Sequence, residues 1–270
     1  MALIDVERVR NSGGFPGDLV KDGQIESAIS EVQRLTERKF NTSFKGSREM
    51  EFFDGTGMRY FYLSKNPVLR LEDAESNDES VDLDDVFVDF NSGRVTYKDS
   101  SDRSTFLKGF NSIKVKYWHG LLLPSSVVTE STGGVSAGKD VVFEVDSVDG
   151  FKVGDWLRLE SFENVTSAKV KSVNGNEITV DKVVVNFEDE FDVIKLEVPD
   201  EYKRFIALEA VIYLAINAIG ATYVFNASYS LGDLNVNKGV PYTHWQESLN
   251  QSVKERDRLW GVLKPRFSVQ

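Results

Sequence analysis

The chain has 270 residues, no cysteine, and a formal charge of -11 from 43 acidic and 32 basic side chains. The missing thiols exclude disulfides, thiolate nucleophiles and cysteine metal sites. The negative surface repels a phosphate backbone, so general nucleic-acid binding is disfavoured.

The N-terminus, Met1-Ala2-Leu3-Ile4-Asp5-Val6-Glu7, has neither a basic start nor a long apolar run, so no signal peptide is expected. From there to Gly23 the glycines and Pro16 predict an extended arm with turns. A helix is predicted over Gln24 to Lys39, with Ile25, Ala28, Ile29, Val32 and Leu35 on one face. Strand signals follow. Glu51-Phe52-Phe53 and Tyr60-Phe61-Tyr62-Leu63 flank Asp54-Gly55-Thr56-Gly57, which reads as a hairpin with a glycine-rich tip. Phe87–Phe90 and Arg94–Tyr97 flank Asn91-Ser92-Gly93, a second hairpin. Ile113 to Trp118 alternates apolar and basic residues, as a strand with one wet face does.

Thr129 to Gly138 is rich in Ser, Thr and Gly and is expected to be a linker. Between Val141 and Val198 four short strand signals, at Val141–Val145, Trp156–Leu159, Ala168–Val173 and Glu177–Val180, predict a small barrel or sandwich. Pro199-Asp200 opens a long apolar helix, with Asp200 expected as its cap. Phe205 to Ile219 is too short to cross a bilayer, which takes ~20 residues. A last helix begins near Thr243, carries Trp245, Leu249, Val253 and Trp260 as its apolar stripe, and is expected to stop at Gly261 and Pro265.

Chemistry-bearing motifs are sparse. His119 and His244 lie in no metalloprotease-like arrangement and read as surface or interface residues. Leu71 to Gly93 holds nine acids and no base, which suggests a divalent-cation site or a solvated acidic edge, the edge being favoured. Asp54-Gly55-Thr56-Gly57 lacks the Gly-Lys-Ser/Thr of a phosphate loop. The four tryptophans fit core packing better than a sugar platform, Trp156 least clearly. No metal, cofactor or catalytic set is expected.

The ordered set of features resembles the head–tail connector (adaptor) family of long-tailed bacteriophages. The pieces are Ile25–Ile29 leading to Arg38-Lys39-Phe40; Phe53–Gly57 leading to Leu63–Val68; Gly93-Arg94-Val95; Phe110–Gly120; the helix at Pro199-Asp200; and Tyr229–Val236. They cover roughly residues 20–125 and 197–262. The resemblance implies an α+β fold. Residues 1–128 and 197–270 would form a discontinuous connector domain with hairpins and a small sheet, and 129–196 an inserted all-β, barrel-like domain. It also implies a non-enzymatic virion protein of the neck, made in the host cytoplasm. Copies would form a ring, usually dodecameric, between the portal and a stopper or tail-completion protein. DNA would pass through its channel without specific binding, and no membrane is involved. Lys264, Pro265, Arg266, Phe267, Ser268, Val269 and Gln270 are expected to bind the portal; Asp54, Gly55, Thr56 and Gly57 are expected to meet the next neck component. The competing readings are a glycan- or host-surface-binding β module carried on a helical stalk, and a hydrolase with an acidic site.

Overall fold

A computed structural model describes residues 3–13, 20–98, 105–222, 230–231, 234–235 and 242–263. The fold is α+β, with four α-helices and antiparallel sheets among the described residues. It divides into two compact units, residues 1–40 with 199–270, and residues 41–198.

The first unit is helical. α1 (Val6–Gly13) occupies the segment expected to be an extended arm. Its start is legible in retrospect: the Asp5 carboxylate accepts from the Arg8 N–H at 2.7 Å, an N-cap bond, and Val9 is wholly buried. α2 (Asp22–Phe40) buries Ile25, Ala28, Ile29 and Val32 as predicted. Leu35, at 44% exposure, is not on that face; Gln33, Thr36 and Phe40 are buried instead. The Thr36 hydroxyl donates to the Val32 carbonyl, so the buried hydroxyl keeps a partner.

α3 (Asp200–Thr222) packs against all three other helices, which explains its apolar surface. Asp200 is not its cap. The Pro199 carbonyl takes the first N–H bonds, and Asp200 lies in the first turn, where its negative charge complements the positive end of the helix dipole. α4 (Tyr242–Leu263) runs through Gly261 instead of ending there, and Pro265 lies outside the described residues. One glycine costs a helix only ~1 kcal/mol, too little to end one held by packing. Phe40, Tyr202, Phe205 and Trp260 form the unit's aromatic knot, with Phe40 edge-on to the other three rings.

The second unit is all β. Its first part contains β1 (Ser47–Gly55), β2 (Tyr60–Tyr62), β3 (Val68–Ser76), β4 (Glu79–Ser80), β5 (Val86–Asp89), β6 (Arg94–Tyr97) and β7 (Gly109–His119). They make a four-stranded sheet, β1-β7-β3-β4, and a three-stranded sheet, β2-β6-β5. The second predicted hairpin is present as β5–β6. The Asp89 carboxylate accepts from the Asn91 and Ser92 N–H groups, and Gly93 supplies the positive φ of +71°. The first predicted hairpin does not form: β1 pairs with β7 and β2 with β6. The two strands instead belong to different sheets, and Phe53 packs on Phe61 at 5.4 Å between ring centroids. Side-chain burial between two sheets outweighed the local turn signal. Phe61, Leu71, Val95, Tyr97, Phe106 and Val115 are central to that core.

β8 (Leu123–Glu130), β9 (Gly138–Glu144), β10 (Trp156–Glu160), β11 (Val165–Asn174), β12 (Glu177–Val183) and β13 (Asp192–Glu197) form a six-stranded sheet ordered β8-β13-β10-β11-β12-β9. Its two edge strands meet through the Ser131–Val145 bridge and the bonds Thr132 N–H to Glu144 and Asp146 N–H to Glu130, so the sheet closes on itself. Leu157, Leu159, Ile178, Val180 and Val193 fill the interior. Thr129 to Gly138 is therefore not a free linker. Thr129 and Glu130 are strand residues, Ser131 is buried, and Val135 bridges Phe187. Its short polar side chains mark a tight barrel corner, and Gly134 lies where a Cβ would come within 2.3 Å of the Phe187 carbonyl.

Candidate protein-contact site

Asp54 to Gly57 leaves the end of β1 and is anchored, not free. The Asp54 carboxylate accepts from the Asn111 N–H at 2.8 Å. The Gly55 N–H donates to the Ser112 hydroxyl at 3.1 Å, and that hydroxyl in turn donates to the carbonyls of Leu107 and Gly109. Gly55 is required here, because a Cβ would stand 1.8 Å from the Leu107 carbonyl oxygen. Gly57 turns the chain with a φ of +76°, and Thr56 and Gly57 face solvent.

Apolar side chains frame this rigid turn. Phe110 is 85% exposed, Met58 50% and Leu107 44%. The Phe106 N–H bonds the Met58 carbonyl and Gly109 pairs with Gly55, so these residues border one feature. Phe52 and Met50, also half exposed, alternate outward along β1 toward it. Large apolar groups grouped on a stiff loop are the composition of a protein contact.

The remaining candidates are spread over the molecule. Lys264 to Gln270 lie outside the described residues, as does the His244 side chain. His119 is not a surface group. It ends the inward row of β7 at 5% exposure, and burial, then the positive Lys65, push its pKa down to about 4. Beside it the Tyr117 hydroxyl accepts from the Lys65 N–H at 3.1 Å, and burial with the neighbouring Glu51 raises its pKa. Sequence reasoning did not single out this inward polar row; the apolar–basic alternation of β7 identified only the outward one.

The acidic run from Leu71 to Gly93 is divided by strand alternation and is not one solvated edge. Glu75 pairs with Lys114 at 2.8 Å and Asp73 with Lys116 at 2.7 Å across β3 and β7. Glu72 accepts from Trp118 Nε1–H and pairs with Arg48, each at 2.7 Å. Burial acts to raise the Glu72 carboxyl, but these donors and Arg70 hold it below the usual range. Asn77 and Asp78 both take positive φ and turn β3 into β4, an Asn-Asp signal that the sequence reading passed over. Among the described residues, no three or more His, Asp or Glu side chains gather to hold a metal. Nor is any helix among them long and apolar enough to cross a membrane.

Arg70 is the least expected residue. It is 1% exposed and joins the four-stranded sheet to the barrel. Its guanidinium makes a two-pronged pair with Asp181 at 2.8 and 2.8 Å, and donates to the carbonyls of Lys182 and Ser167. Trp156, at 3% exposure, lies between Trp118 and Gly46 and donates to the Lys45 carbonyl, so it offers no exposed platform. No protein-family model matches the chain, and no curated protein matches it.

Proposed function

We propose that the chain is a structural virion protein: a head–tail connector (adaptor) subunit that closes into a ring between the portal and a stopper or tail-completion protein. In this reading residues 1–128 and 197–270 form the connector domain and 129–196 the inserted β domain. The copies continue the DNA channel, and the net charge of -11 lets DNA slide through because an acidic wall offers phosphates no cationic partners. A ring of this kind uses a heterologous contact, one flank of each copy on the opposite flank of the next.

The observation that carries the reading is the exposed apolar frame of Phe110, Met58 and Leu107 around the anchored Asp54–Gly57 turn. A stiff, apolar tip suits docking of the next neck component, since little conformational freedom is lost on contact. The test is solution mass alone and after mixing with portal protein, by light scattering, for the wild type and Phe110→Ser. Wild type should form a portal-bound ring that recruits the next component; Phe110→Ser should form the ring and fail to recruit. A wild type that never associates with portal would end the proposal.

A further inference from the structure

β1 is an edge strand of the four-stranded sheet. The Asn77 N–H donates to the Ser112 carbonyl and the Gly120 N–H to the Pro67 carbonyl, so the even-numbered residues of β7 bond toward β3 and the odd-numbered ones toward β1. By the β1–β7 register, Ser47, Glu49, Glu51 and Phe53 then bond β7, and Arg48, Met50 and Phe52 turn their N–H and C=O groups away from it. Among the described residues no backbone hydrogen bond reaches those outward groups. The register is regular from Ser47 to Phe53, and the strand contains no proline. An edge of this length and regularity is a template for a further strand.

Side chains alternate along that edge. Met50 and Phe52 lie half exposed on one face. Glu49 and Glu51 lie on the other, and among the described residues neither has a salt bridge to Lys or Arg. Glu49 has the buried His119 at 3.9 Å, and Glu51 accepts from the Ser64 N–H at 3.1 Å. Lys65, in the same turn as Ser64, donates its ammonium to Asn41. A strand that fits here therefore alternates cations, set beside Glu49 and Glu51, with apolar groups, set beside Met50 and Phe52. Lys264-Pro265-Arg266-Phe267, which follows α4 and lies outside the described residues, has that order.

The proline fixes the direction. If the segment ran antiparallel with its apolar side chains on the Met50 face, Pro265 would stand opposite a residue whose N–H and C=O face it, and would have to donate the N–H it lacks. Set parallel, with Lys264 beside Glu49, it places Pro265 beside Met50, Arg266 beside Glu51 and Phe267 beside Phe52. The groups that bond β1 are then those of Lys264, Arg266 and Ser268, and the Pro265 nitrogen falls on the outer side, where no donor is needed. We propose that residues 264–268 of one copy add to β1 of a second copy as a parallel fifth strand. Such a contact is heterologous, the tail of one copy on the edge of the next. The connector reading gives the same tail to the portal, so the contact belongs to the free protein and is tested without portal.

Sedimentation equilibrium of the full chain at low ionic strength, about 50 mM, is the experiment. Wild type should self-associate, and the chain lacking Lys264–Gln270 should stay monomeric. Glu49→Lys/Glu51→Lys and Lys264→Glu/Arg266→Glu should each weaken association by roughly tenfold or more, since two opposite-charge contacts become like-charge ones. Mixing these two variants should restore it, because the tail of each then matches the edge of the other. Met50→Pro should also abolish it, since that substitution removes an outward N–H and none that bonds β7. Far-UV circular dichroism checks that every variant is folded. The proposal is overturned if wild type stays monomeric near about 100 µM, a concentration at which a contact of micromolar affinity is nearly full. It is equally overturned if association survives loss of the tail, or if the mixed charge variants stay apart. None of these results touches the connector reading, which is tested with portal present.

Discussion

Arg70 and His119 show how much depends on single buried polar groups. Burial raises the Asp181 carboxyl, and the Arg70 pair with two backbone N–H donors outweighs that and holds it below its usual range. Removing the guanidinium leaves Asp181 without its cationic partner and takes one of three partners from Glu72, which keeps Arg48 and Trp118. Arg70→Met should cost about 3–5 kcal/mol in urea denaturation. Adding Asp181→Asn should recover part of that, because the stranded charge goes with it. A loss under about 1 kcal/mol for Arg70→Met would show that the network contributes no more than a surface pair. His119 sets a pH dependence. Its folded pKa, about 4, lies below its unfolded value of 6.5, so the unfolded state binds more protons between them. The stabilising neutrality of the buried ring is fully present above pH 6.5 and is lost progressively as pH falls from 6.5 to about 4. The loss amounts to about 3 kcal/mol. His119→Gln should flatten that part of the stability–pH curve; an unchanged slope would assign it to other groups.

At the scale of elements, the turn after β1 separates two kinds of glycine. Gly55 faces a backbone oxygen that cannot give way, so Gly55→Ala should destabilise by roughly 2–4 kcal/mol. Gly57 has open space around it but a φ of +76°, so Gly57→Ala should cost only about 1 kcal/mol. Thermal denaturation of the two variants distinguishes these mechanisms, and equal losses would contradict the close approach at Gly55. The same geometry explains why this segment is not a β1–β2 hairpin: Gly55 is held against Leu107 and Ser112 of the β7 side, which directs the chain away from its own sequence neighbour.

For the whole molecule, the connector reading assigns portal attachment to Lys264–Gln270. Deleting those seven residues should abolish portal binding measured by co-sedimentation, with far-UV circular dichroism checking that the shortened chain is folded. Retained binding would reassign the portal contact to another surface.

Local periodicity by itself determined much of this protein. The alternation from Ile113 to Trp118, the Asn91-Ser92-Gly93 turn, the apolar face Ile25–Val32 and the opening of α3 at Pro199-Asp200 are all present where the residues place them. Each depends on neighbours within a few positions, which is the range over which strand pleat, helix pitch and turn chemistry act. The tertiary structure alone decided which strands pair, why Thr129–Gly138 is a barrel corner, and that Arg70 is buried against Asp181, 111 residues away. Those outcomes depend on which apolar surfaces can be covered together and which buried charges find a partner, and no short window of sequence contains both halves of such a contact.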